Sequence, residues 1–245
     1  MDLFNPERGL RIELRKTADA AAAADKGTNT VSVRELSIPH KAHDHMQKGL
    51  ALLYGKSDYQ GSLKPFQEAI QEYSDYYEAY AQMGVAYMKL ANTVDSEKAF
   101  RKSAEVSHEQ YQDAYLGLAE LALDGHRFAD AETCARKAVE IDSNSWRANS
   151  QLARALVELH RASEAEPSAV AAVKLKPDNA TLYLLLANIH IQLQNDRAQL
   201  DDLNNYLKLA PTGSFAAQAR QQRDQLQQFL AASPSSPAKS SPPQP

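Results

Sequence analysis

The residues of this chain that could do chemistry are few and scattered. His40, His43 and His45, with Asp44 between them, are the densest group of metal-type ligands. Ligands on one helix face need a spacing of three or four. His40 and His43 have it only if a helix already includes residue 40, and Pro39 places a helix start there; His45 then points elsewhere. The expected reading is a polar first turn, with a zinc site as the rival. His108, His126, His160 and His190 lie in separate segments, and of the adjacent Asp201 and Asp202 one is expected to face solvent. The sequence has no glycine-rich phosphate loop, nucleophile elbow, His-Glu-x-x-His or paired cysteines. Its one cysteine, Cys134, excludes an intramolecular disulfide and reads as a small packed residue, not a reactive thiol. No catalytic residue, metal or cofactor is therefore expected, and the chain reads as a non-enzyme.

Two charge patterns are more regular. Arg147 and Arg154 stand two helical turns apart, and Asp113 and Glu120 show the same spacing 34 residues earlier. The arginines could hold an acidic segment; the preferred reading is that the two pairs neutralise each other across neighbouring helices. That needs elements that repeat, and the sequence supplies them. Small residues fall at Gly84, Ala119, Ala153 and Ala187, spaced 35, 34 and 34 apart, and a second series follows at Ser96, Ala131, Ala165 and Gln199. A third runs Ser103, Ala138, Ala172 and Tyr206. A fixed period over three registers predicts stacked helix pairs, with small residues where backbones approach closely. Tyr80, Tyr115 and Tyr183 precede the first series by four residues. Phe66, Phe100 and Leu203, or the smaller Ala135 and Ala169, fill the second helix, and Ser143, Pro177 and Pro211 stop it.

This pattern resembles the tetratricopeptide repeat, most closely over residues 146–179, where Leu152, Ala153, Ala165, Ala172 and Pro177 fall on consensus positions. Asn149 and Tyr206 depart from it. The resemblance implies an all-α solenoid of about five helix pairs, at 42–76, 77–111, 112–145, 146–179 and 180–213. The first unit carries one extra residue, assigned to its inter-helix turn between Gly49 and Ser62. Residues 214–232 read as a capping helix with Phe215, Ala219, Leu226, Phe229 and Leu230 on one face. The Ser/Pro-rich residues 233–245 read as a disordered tail.

Residues 1–41 do not follow the period. Leu10–Arg15 and Val31–Ile38 alternate apolar and polar residues, which predicts two strands joined by a loop, a short β-rich segment or the remnant of a β-domain. The stretch VSVRELSIPHKAHDHMQKGL resembles the junction in bacterial, acidobacterial-type extracytoplasmic repeat proteins, where a β-sandwich precedes the repeats. Without a basic start and apolar core the N-terminus does not read as a signal peptide. The address expected by default is the cytoplasm, or the periplasm or envelope if Met1 lies inside a longer protein. A net charge of −4 and a pI near 6.0 argue against a nucleic-acid surface. No run of 18 apolar residues predicts a membrane span.

The resemblance also implies where a partner would sit: the first helices of the units line a concave groove that holds peptides or helices. Carried onto this chain, the groove positions are Met46, Leu50, Val85, Met88, Lys89, Asp113, Leu116, Glu120, Leu123, Arg147, Arg154, Leu184, Asn188 and Ile191. Met46, Leu50, Gln82, Asp113 and Gly117 stand where related domains capture a chaperone carboxylate, and they lack its donors. The expected function is a non-catalytic protein-interaction module for an unidentified protein or peptide, of unknown oligomeric state. The rival is a spacer or oligomerisation arm of a longer envelope protein.

Overall fold

The computed structural model describes residues 33–232. They form twelve α-helices and no strand, in two compact units that divide between Glu109 and Gln110. The first unit holds α1 (Val33–Ser37), α2 (His40–Leu50), α3 (Tyr59–Glu72), α4 (Tyr77–Lys89) and α5 (Thr93–Val106). The second holds α6 (Gln112–Asp124), α7 (Phe128–Ile141), α8 (Trp146–Glu158), α9 (Ala162–Leu175), α10 (Ala180–Gln192), α11 (Asp196–Leu209) and α12 (Ala216–Ala232). Each even-numbered helix from α2 to α10 packs on the one that follows it, as the period requires.

Local chemistry starts and stops these helices. The side chains of Asp58, Asn92, Ser145, Asn179 and Asn195 accept from backbone N–H groups of the first turns of α3, α5, α8, α10 and α11. Between the two helices of each pair a single residue takes a positive φ: Ser57, Ala91, His126, His160 and Gln194. From α4 onward the next N–H in each turn closes on a carbonyl five residues back, as in Asn92 to Tyr87 and Arg161 to Leu156. That is the left-handed closure of a helix C-terminus, which makes each inter-helix turn short and alike.

The extra residue of the first pair lies in the helix, not the turn. α2 runs on into a π-helical segment, Ala51–Gly55, where the Lys56 N–H bonds the Ala51 carbonyl. A wider turn absorbs one residue without breaking the hydrogen-bond ladder.

The core follows the registers. Phe66, Phe100 and Leu203 are fully buried, as are Ala135 and Ala169. A Cβ on Gly49 would lie 2.4 Å from the Phe66 ring, and one on Gly84 would lie 2.9 Å from the Phe100 ring. Where the first helix carries Ala119 or Ala153 instead, the second carries Ala135 or Ala169. The Ser96 hydroxyl donates to the Gly84 carbonyl and that of Ser103 to Tyr77, so these buried polar groups are paired.

Two expectations change. Val33–Ser37 is a helical turn and not part of a strand. Among the described residues no strand lies beside it to pair with. Here the Ser37 hydroxyl bonds the Arg34 carbonyl, and Arg34 lies over the Tyr77 ring at 3.7 Å while forking onto Glu78 at 2.6 Å. The expected Leu10–Arg15 strand, the loop after it and the tail at 233–245 lie outside the described residues. In α12 the buried positions are Ala216 and Ala219, with Leu226 and Leu230 half-buried. Phe215 and Phe229 are exposed, because the small alanines set the close approach and rotate the aromatics outward.

Candidate interaction surface

In the second unit the first helices α6, α8 and α10 pack against one another and are tied by side chains that reach back to the preceding backbone. Gln151 Nε2 donates to the Leu116 carbonyl and Gln192 Nε2 to the Val157 carbonyl, each at 3.2 Å. The opposed charges meet across this seam. Arg154 lies 3.2 Å from Glu120, and Arg147 lies 3.8 Å from Asp113. Glu120 also accepts from Gln151 at 2.9 Å, so it is held from two sides. The Arg147–Asp113 contact is longer and both side chains are about half exposed. It is the looser of the two and contributes little to stability. The mutual neutralisation anticipated from the spacing is thus the arrangement found.

The apolar groove residues divide. Leu116 is buried against Ala138 and Ala148, and Leu123 against Ala122, Ala131 and Ala155. Both belong to the helix–helix core, because the neighbouring helix covers them. Met46 is likewise buried, with Ala42 and Phe66 in the first unit. Leu184 is half-buried, while Asn188 and Ile191 are exposed on α10. In the first unit Leu50 and Val85 are half-buried against its core, Met88 is half-buried and Lys89 is exposed. The second unit therefore presents an acidic column (Asp113, Glu120), a basic column (Arg147, Arg154), and beside them the mixed face of Leu184, Asn188 and Ile191.

The polar first turn at His40 resolves into separate pairs: His40 with Asp44, and His45 with Glu68 of α3, each at 3.0 Å. His126 and His160, in separate units, share one structural place, the left-handed turn residue.

One cluster was not anticipated. His190 of α10 places Nδ1 2.5 Å from Asp202 of α11 and Nε2 3.3 Å from Glu166 of α9. His190 and Asp202 are both buried. Burial pushes the Asp202 carboxyl up to about 6, against the pull of the His190 hydrogen bond in the other direction. A signal did exist in the register. His190 occupies the position of Tyr87, Ala122 and Leu156, and Asp202 that of Ala99, Cys134 and Ser168. A titratable pair at two positions that carry no charge in the other units marks a built contact.

The chain is a tetratricopeptide-repeat α-solenoid in fold, and comparison with solved structures agrees. No protein-family model and no curated protein matches the sequence. The structure is similar to YrrB, described as a TPR protein with an unusual peptide-binding site, with a TM-score of 0.60 and 18% identity over 74% of this chain and 92% of that one. It is similar to MamA from Desulfovibrio magneticus RS-1, with a TM-score of 0.62 and 15% identity over 73% of this chain and 99% of that one. A third likeness is to PilF of Pseudomonas aeruginosa, with a TM-score of 0.65 and 11% identity over 79% of this chain and 93% of that one. No described helix is long and apolar enough to cross a membrane.

Proposed function

We propose that this chain is a non-catalytic protein-interaction module that takes a peptide or helix on the exposed row of α6, α8 and α10. The observation that carries the reading is the juxtaposition of two charged columns with Leu184 and the exposed Ile191 on adjoining first helices. Apolar side chains left beside a charged row suit a segment with apolar anchors and flanking charge. Arg147, loosely paired with Asp113, is the cation most readily given up to an acidic group on the partner. The likeness to YrrB, described as having an unusual peptide-binding site, is in keeping with a peptide ligand for this fold.

The test is selection of a displayed peptide library on the intact chain, followed by affinity measurement on a Leu184→Arg, Ile191→Arg double variant. Burying one such side chain is worth about 1.5–3 kcal/mol, so affinity should fall at least about tenfold while the helical signal is kept. Equal affinity for both proteins would move the site elsewhere. Failure to select any peptide would favour the spacer or oligomerisation reading.

A further inference from the structure

We propose that Glu166, His190 and Asp202 form a two-proton clasp joining α9, α10 and α11, whose Glu166 arm opens when one proton is lost. The donors can be counted. Two carboxylates meet the two ring nitrogens, so each contact needs a proton on its line. A neutral imidazole beside two carboxylates carries only one. With two protons present, both Nδ1···Asp202 and Nε2···Glu166 are hydrogen bonds. With one, a nitrogen lone pair faces a carboxylate and that contact fails.

Which contact fails is decided by distance and burial. The Asp202 contact is 2.5 Å long and both partners are buried; the Glu166 contact is 3.3 Å long and its carboxylate is close to half exposed. The remaining proton stays on the short buried line, and Glu166 turns to water. α9 is also the weaker partner. Pro167, directly after Glu166, removes one backbone N–H from the helix interior at that point.

Burial keeps a proton on Asp202; His190 opposes it, and the neighbouring carboxylates add to it. α9 contributes Glu166; α11 contributes Asp202 and, through space, Asp201. α8, which also packs on α10, brings the Val157 carbonyl to Gln192. The charges that act on Asp202 are thus two further carboxylates and the histidine itself. An Asp202 carboxyl that keeps its proton up to about pH 6 is consistent with this surrounding. The sign for stability follows. In the unfolded chain the same carboxyl titrates near about 3.9. Between these values the folded state holds the extra proton, so stability falls as pH rises through the window and levels off above it.

The test uses the whole chain. Ring-nitrogen NMR of His190, assigned by the resonance missing in a His190→Gln variant, is followed from pH 5 to pH 8. The Nε2–Glu166 hydrogen bond should be present at pH 5 and absent at pH 8, while the Nδ1–Asp202 hydrogen bond persists. The melting temperature should fall as pH rises from about 4 to about 6 and stay level from there to pH 8. Asp202→Asn supplies a permanent N–H to Nδ1, and should remove both changes. An unchanged His190 ring across the range, or the same pH response in Asp202→Asn as in the unaltered chain, would overturn the clasp. If that variant fails to fold, the melting temperature of the unaltered chain decides: no fall between about pH 4 and about pH 6 would overturn the clasp.

Discussion

At the scale of single residues the fold rests on paired volumes. Gly49 and Gly84 leave room for the faces of Phe66 and Phe100, and the alanine at the corresponding place in α6 and α8 goes with an alanine opposite. A methyl group added at Gly84 has no space, since the ring atoms it meets belong to a fully buried side chain. Gly84→Ala should cost about 1–3 kcal/mol by overpacking, and Phe100→Ala about 3–5 kcal/mol by leaving a cavity. The double variant recreates the Ala–Ala pairing of Ala119 and Ala135. Its loss should be clearly smaller than the sum of the two, and urea denaturation of the three variants measures that coupling. A strictly additive double variant would mean that the two residues do not set each other's size. The small-residue registers were legible because they recur. The roles of Leu116, Leu123 and Met46 were not, since a groove position on one helix becomes core once the next helix covers it. The acid–base cluster was obscured for another reason: Glu166, His190 and Asp202 stand on three helices, and only comparison of their registers with the other units marks His190 and Asp202.

At the scale of elements, the turns carry a recurring cost. A residue with a side chain in the left-handed region is disfavoured by about 1 kcal/mol relative to glycine. Ala91 sits there with no side chain beyond Cβ to compensate. Ala91→Gly should therefore stabilise the chain, by up to about 1 kcal/mol. His126 should show less gain, because its ring meets Phe128 edge to face at a centroid distance of 5.7 Å. Thermal melts of Ala91→Gly and His126→Gly compare the two; a destabilised Ala91→Gly would show that the turn is not strained. The docking of α1 is a second matter for this scale. Its Arg34 stacks on Tyr77 and forks onto Glu78, while Ile38 packs against the first unit's core. Arg34→Ala removes both the stack and the fork, and should speed amide exchange over residues 34–38 while α6 to α12 keep their protection. Unaltered exchange at α1 would show that Ile38 alone holds it. The alternation misled over Val33–Ser37 because period two states only which side chains are apolar. Whether a neighbouring strand exists is not written in the segment itself.

At the scale of the whole molecule, a repeat architecture distributes stability among neighbours. Within each unit a helix pair is held by its own core and by the next pair, so energy lost at one place is felt mainly nearby. The cores reflect this. Phe66 belongs to a cluster with Ala42, Met46, Leu53 and Ala79, whereas Leu203, Tyr206, Ala216 and Ala219 form a separate one. A cavity at Phe66 removes about 3–5 kcal/mol from the first cluster. Native-state hydrogen exchange of Phe66→Ala should then show α2, α3 and α4 losing protection by orders of magnitude. α10, α11 and α12 should exchange at nearly their original rates, since none of their buried contacts involves that ring. A uniform loss across all helices would contradict this, because it would require the chain to unfold as one cooperative body. The period read from the sequence already implied such locality. The division between Glu109 and Gln110 was not in it: the same repeat runs through 77–111 and 112–145, and only the packed structure reveals two compact units.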